Sequence, residues 1–242
     1  MKKLILVGVS GPSSSGKSTV VKSLVSVLPH CTEIHLDDFY FPDTQIPVDS
    51  THNVQNWDCA DALNWQKFRE YLESVRATGG DVLPVDSLEI ELELSLSAEQ
   101  RAKIQAGVAS DFPWLKDCHV VLVDGFMLYH DDSVADMLDV KLLFRAPYST
   151  LKFRRELRQG YNTVEGFWLD PPGYFDNIVW PAYIDSHRHL FIDGNVESSL
   201  SESAKKLHIH DIMNDGSRSL PELVSLALEY VAEETKPEGL VK

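Results

Sequence analysis

The chain has 242 residues, 43% of them hydrophobic and 24% charged, with a formal net charge of -15. That length suits one α/β unit with insertions, and no apolar run approaches the ~18 residues that span a bilayer. The acidic balance leaves no basic stripe for nucleic acid, and three scattered cysteines, Cys31, Cys59 and Cys118, build neither a disulfide framework nor a CxxC metal site. A small-molecule partner, no membrane and a reducing cytoplasmic setting with nuclear access open are therefore expected.

In chain order, "MKKLILVGVSG" starts like a secretory leader, but its short apolar run leads straight into a glycine motif and reads as a buried first strand, Leu4 to Val9. Further apolar runs follow at Glu33 to Leu36, His119 to Val123, Val140 to Phe144 and, more weakly, Leu190 to Ile192. Helical spacing fills Lys17 to Leu28, Ala62 to Arg76, Tyr148 to Arg158, Asn177 to His189 and Leu220 to Glu234. Strands alternating with helices predict an α/β fold, a five-stranded parallel sheet with helices on both faces. Two segments break the alternation. Residues 79–117 read as an insertion, with alternating Leu and Glu for an exposed hairpin or strand and then an amphipathic helix from about Ser97. "GYNTVEGFWLDPPGYFD", Gly160 to Asp176, follows an arginine-bearing helix and reads as a mobile cover, which places a lid at about 154–176.

Gly11-Pro12-Ser13-Ser14-Ser15-Gly16-Lys17-Ser18 fits G-x-x-x-x-G-K-[ST] between a strand and a helix. The glycines let backbone N–H groups and the helix N-terminus cradle phosphates, Lys17 reaches the β- and γ-phosphates, and Ser18 ligates Mg²⁺. The predicted ATP site thus comprises Gly11, Ser13, Ser14, Ser15, Gly16, Lys17, Ser18 and Thr19. A P-loop does not name the acceptor, so the other strand ends must. Asp37 and Asp38 follow the second strand and Asp124 ends the third core strand; a kinase needs one carboxylate at the acceptor hydroxyl and another on Mg²⁺. Asp37 and Asp38 also suit a cap or turn. Trp57 and Asp58 precede a helix, as core and cap or as a stacking face and a ribose acceptor. Arg154, Arg155 and Arg158 crowd one helical turn, either salt-bridged with Glu156 or set over a phosphoryl group. The His187/His189 and His208/His210 pairs lack a third ligand and read as packing or surface residues, and Glu89 to Glu93 as a solvated face.

With the P-loop, "LDDFYFP", "NWDCADALNW", "VDGFMLY", "RAPYSTLKFRRELR" and "DPPGYFDNIVWPAY" in this order, residues 4 to 193 resemble the nicotinamide riboside kinases, above all their fungal form, within the P-loop uridine kinase-like nucleoside kinases. The resemblance implies a single P-loop nucleoside kinase domain over residues 1–242. It implies ATP-dependent, Mg²⁺-assisted phosphorylation of the ribose 5′-hydroxyl of nicotinamide riboside to the mononucleotide for NAD biosynthesis. Nicotinic acid riboside is an implied second substrate. Asp37 is implied as the catalytic or magnesium-linked acid, joined in catalysis by Lys17 and Arg155. Phe39, Trp57, Asp58, Arg155 and Tyr161 bind the riboside, Arg154 and Arg158 the ATP, and Ser18, Asp37 and Asp124 the metal. Trp57 stands where animal members carry tyrosine, and Asp124 where they carry glutamate, as in the fungal form. A monomer or weak dimer is expected. Two rivals stand beside this reading, a uridine- or cytidine-type nucleoside kinase and a nucleotide-dependent regulatory protein.

Overall fold

The computed structural model describes residues 2–83 and 96–237. Its elements run β1 (Lys3–Ser10), α1 (Lys17–Val27), β2 (Cys31–His35), α2 (Trp65–Thr78), α3 (Ala98–Asp111), β3 (Cys118–Gly125), α4 (Asp132–Asp136), β4 (Val140–Arg145), α5 (Tyr148–Glu156), α6 (Trp180–His187), α7 (Glu202–Lys206), β5 (Ile209–Met213) and α8 (Leu220–Thr235). The five strands make one sheet in the order β2-β3-β1-β4-β5, every pair parallel. Period-two alternation divides its side chains between two cores. Ile5, Val7, Val9, Val120 and Leu122 face α1, α3 and α8, while Leu6, Val121 and Val123 face α2, α4 and α6.

Helix ends follow local chemistry. Ser97 with Gln100 and Ser219 with Glu222 form reciprocal capping boxes, which start α3 and α8 where the periodicity predicts. The expected alternating strand ahead of α3 falls on residues 84–95, outside the described residues, as does the acidic stretch at Glu89 to Glu93. Two expectations need correction. Leu190 to Ile192 is not the fifth strand; Leu190 ends one single-turn helix and Ile192 starts another, Phe191 between them makes only an isolated antiparallel bridge to Leu200, and Asp193 and Gly194 take left-handed φ values of 54° and 68° that break an extended chain. Ile209–Met213 occupies that edge instead, beside β4. The helix expected from Asn177 is split, a wide π turn over Phe175–Val179 feeding α6, whose second residue, Pro181, has no N–H to donate. No helix of the described residues is long and apolar enough to cross a membrane.

Candidate active site

All five strands point their carboxyl ends to one edge, and the sequence between β1 and α1 forms its floor. Gly11 has φ +135°, and a Cβ there would lie 1.9 Å from the Phe144 carbonyl oxygen of β4. Gly16, at φ +90°, caps α1; a Cβ there would meet Asn214 Nδ2 at 2.5 Å, and that amide donates to the Ser15 carbonyl at 2.8 Å. Only glycine lets the loop lie this close to β4 and to the turn after β5. Lys17, 8% exposed, donates to the Pro12 carbonyl at 3.4 Å, which curls its ammonium back over the loop. The loop, α1 and the parallel sheet together are the P-loop kinase fold.

A cleft of about 540 Å³ opens above the loop. Ser13, Ser14, Gly16, Lys17, Ser18 and Thr19 line its base. Asp37 and Asp124, from the ends of β2 and β3, line one wall with His35. Asp124 is 4% exposed, His35 Nδ1 lies 3.7 Å from its Oδ2, and its Oδ1 is buried with no hydrogen-bond partner. Burial works to raise this carboxyl, but His35, Lys17 and the Ser18 hydroxyl outweigh it and hold the group below the usual carboxylate range.

The far end is aromatic and centres on one arginine. Trp57 is 6% exposed, edge-on to Tyr40 at 5.5 Å and tilted against Trp168 at 5.9 Å between centroids. Tyr161 and Trp168 face each other across a two-residue hairpin from the segment after α5. Arg155 lies under the Tyr161 ring, its guanidinium carbon 4.4 Å from the centroid. It donates to both oxygens of Asp58 at 3.3 Å, to Asp170 at 2.6 and 3.1 Å, and to the Ser13 hydroxyl at 2.8 Å. One guanidinium thus joins the P-loop, the turn before α2, α5 and the segment that follows α5. Burial pushes Asp58 up against the pull of Arg155, whereas Arg155 stays charged because its two carboxylates outweigh the burial that works to discharge it. The hairpin is latched to the opposite rim, where Asp43 accepts from the Thr163 hydroxyl at 2.6 Å and the Glu165 amide at 3.2 Å.

The structure therefore gathers Ser13, Ser14, Gly16 to Thr19, Asp37, Trp57, Asp58, Asp124, Arg155, Arg158 and Tyr161 around one space. Gly11 and Ser15 lie beneath it as loop scaffold. Arg154 faces a smaller adjoining cavity of about 330 Å³, shared with Ser14, Gly16, Thr19, Arg158, Asn214 and Arg218. Phe39 corrects an expectation. It is 1% exposed and packs on Phe68 at 4.9 Å and Tyr71 at 5.3 Å, because the turn after β2 directs it onto α2; its neighbour Tyr40 lines the cleft. Sequence reading also passed over His35, Trp168, Asp170 and Asn214. Asn214 directly follows the overlooked strand, and Trp168 and Asp170 sit in the segment already singled out as a cover.

No protein-family model matches the chain. Over 236 residues it is 36% identical to the nicotinamide riboside kinase of Saccharomyces cerevisiae, an alignment covering 95% of this chain and 96% of the relative. It is 42% identical over 205 residues to the nicotinamide riboside kinase of Eremothecium gossypii, 81% of each chain, and 40% identical over 212 residues to that of Schizosaccharomyces pombe, 85% and 89% of the two. Sharing more than a third of its residues with these enzymes along most of their length, and presenting a phosphate loop and an aromatic pocket to one cleft, the chain belongs to the nicotinamide riboside kinase family.

Proposed function

We propose that the chain transfers the γ-phosphoryl group of ATP to the ribose 5′-hydroxyl of nicotinamide riboside, and of nicotinic acid riboside, to yield the mononucleotide. The observation that carries this reading is the single cleft with a phosphate loop at one end and Trp57, Trp168, Tyr161 and Asp58 at the other, in a chain of this family. A flat pyridine ring suits the aromatic end, and vicinal ribose hydroxyls suit Asp58 and Arg155, a carboxylate acceptor beside a fixed donor fork. The 5′-hydroxyl of a riboside held there points back to the loop.

In that pose Asp37 accepts the proton of the attacking hydroxyl or orients it, Lys17 and the N–H groups from Ser13 to Thr19 hold the phosphates, and Arg154 and Arg158 shield the transfer from water. The purine of ATP fits the smaller cavity beside Arg154 and Asn214. Among the described residues no group of three or more His, Cys, Asp or Glu side chains is arranged to hold a metal. An ion here would need ligands from phosphate and water, as Mg²⁺ prefers, and the Ser18 hydroxyl, Asp37 and the unpartnered Oδ1 of Asp124 are hard oxygen donors that fit it. Mg²⁺ held by these residues would supply charge neutralisation for the phosphates. The family resemblance supports reading residues 1–242 as a single kinase domain that acts as a monomer or weak dimer. The thiols of Cys31, Cys59 and Cys118, free of disulfides, support a cytoplasmic setting.

The test is ADP release with Mg-ATP and a panel of nicotinamide riboside, nicotinic acid riboside, uridine, cytidine and pantothenate. Release confined to the pyridine ribosides is expected. Preferred turnover of uridine or cytidine would move the acceptor to a pyrimidine nucleoside, and ATP consumption independent of any acceptor would favour the regulatory reading.

A further inference from the structure

Asp170 has no place in the scheme above and Trp168 enters it only as part of the aromatic wall, yet Asp170 makes the shortest hydrogen bond to Arg155. The Arg155 guanidinium is shared unequally: its bonds to Asp170 measure 2.6 and 3.1 Å and those to Asp58 3.3 Å each. Asp58 is thus the looser hydrogen-bond partner and keeps acceptor capacity for a ligand, while Asp170 makes the closer contacts to the guanidinium. Trp168 fixes Asp170 in turn, since its indole N–H donates to the Asp170 Oδ1 at 2.9 Å. The same indole packs on Trp57 at 5.9 Å and lines the cleft, so the wall that meets an aromatic ring also anchors the carboxylate that restrains Arg155.

We propose that Trp168 and Asp170 are a positioning pair that draws Arg155 away from Asp58 and so leaves the Asp58 carboxylate open to the vicinal hydroxyls of the riboside. The proposal rests on the riboside kinase reading. Without Asp170, Arg155 closes on Asp58 as a tight bidentate pair and competes with the diol. Without the indole N–H, Asp170 keeps its charge but loses its fixed orientation. Neither residue touches the phosphates, so the consequence falls on acceptor binding.

The experiment measures KM and kcat for ATP, nicotinamide riboside and its 2′-deoxy counterpart with the wild-type protein, Asp170→Asn, Asp170→Glu, Trp168→Phe and the double variant Trp168→Phe/Asp170→Asn. Asp170→Asn is expected to raise the riboside KM about tenfold, the scale of a hydrogen-bonded charge, with the ATP KM changed less than about twofold. Its penalty shrinks to about twofold on the 2′-deoxy substrate, which has no diol to lose. Asp170→Glu restores part of the loss. Trp168→Phe, which keeps an aromatic face, gives a smaller loss of the same kind, and the double variant is no worse than Asp170→Asn alone, because the two residues act through one contact. An equal penalty on both ribosides, an equal rise in the ATP KM or additive single effects overturns the pair. Trp168→Phe carries the test if Asp170→Asn does not fold. Wild-type protein that phosphorylates no pyridine riboside overturns the functional reading and the pair together; an active wild type with an unsplit penalty overturns the pair alone.

Discussion

Replacing Arg155 with methionine leaves two carboxylates, Asp58 and Asp170, facing each other where one guanidinium had bridged them. Arg155 and Asp58 have side chains 5% and 8% exposed, so neither is effectively screened by solvent. Breaking a buried pair by removing one partner costs about 3–5 kcal/mol, far more than the near-zero worth of an exposed pair. For a chain of this size each kcal/mol lowers Tm by about 2–4 °C, which gives a fall of about 10 °C. Arg155→Lys keeps the charge, but one ammonium on a flexible stem cannot reach Asp58, Asp170 and Ser13 as the fork does, so about half that loss is expected. The deficit has a pH signature. Burial already raises Asp58, and loss of Arg155 raises it further, so the folded variant favours the protonated acid. A carboxyl with a raised folded pKa is penalised above that pKa, so the deficit of Arg155→Met is full at neutral pH and shrinks as pH falls into the carboxylate range. Thermal unfolding followed by circular dichroism, at neutral pH and again in mild acid, with ADP release on the same samples, measures both effects. A Tm within about 2 °C of wild type at neutral pH, or a deficit that grows in acid, would refute the reasoning.

Asp37→Asn should lower turnover by at least ~10²-fold, the scale of a lost general base, in a protein that still unfolds cooperatively; near-normal ADP release removes Asp37 from that role. Trp57→Ala should raise the riboside KM more than the ATP KM, and equal changes return Trp57 to the small core it shares with Ile46 and Ala62. His187 is 1% exposed, its Nδ1 meets the Tyr183 carbonyl at 3.2 Å and its Nε2 has no partner, and burial lowers its pKa from 6.5 to about 3. A histidine with a depressed folded pKa contributes stability that is whole above the unfolded value and lost as pH falls below it, here about 2 kcal/mol by pH 5. His187→Gln should flatten the fall in Tm between pH 7 and pH 5, and an unchanged slope would place the acid sensitivity elsewhere.

The first four strands and the phosphate loop were legible in the sequence because both rest on neighbours in the chain. The run Lys3 to Lys17 states its own structure, since an unbroken apolar run makes a strand buried on both faces, two glycines allow a backbone fold no other residue tolerates, and the lysine opens a helix. Capping boxes at Ser97 and Ser219 likewise read out their own helix starts. Trp57, Asp58, Arg155 and Tyr161 were named one by one as motif positions of the family resemblance, and they line one cleft. What residues 190–213 become was not. A weak apolar run at Leu190 to Ile192 lost to a strand carrying His210 and Asp211, because an edge strand is half solvated and is chosen by the partner it meets on β4, not by its own hydrophobicity. The choice between Phe39 and Tyr40 was equally closed to sequence, since both are large and adjacent and only packing against α2 decides which turns inward. The cluster around Arg155 is the clearest case. Its partners come from positions 13, 58 and 170, and no local pattern records that one guanidinium holds two carboxylates unequally. Periodicity and turn chemistry act within a few residues, whereas the relative lengths of those bonds exist only once the sheet has ordered its strands and the segment carrying Asp170 packs against them.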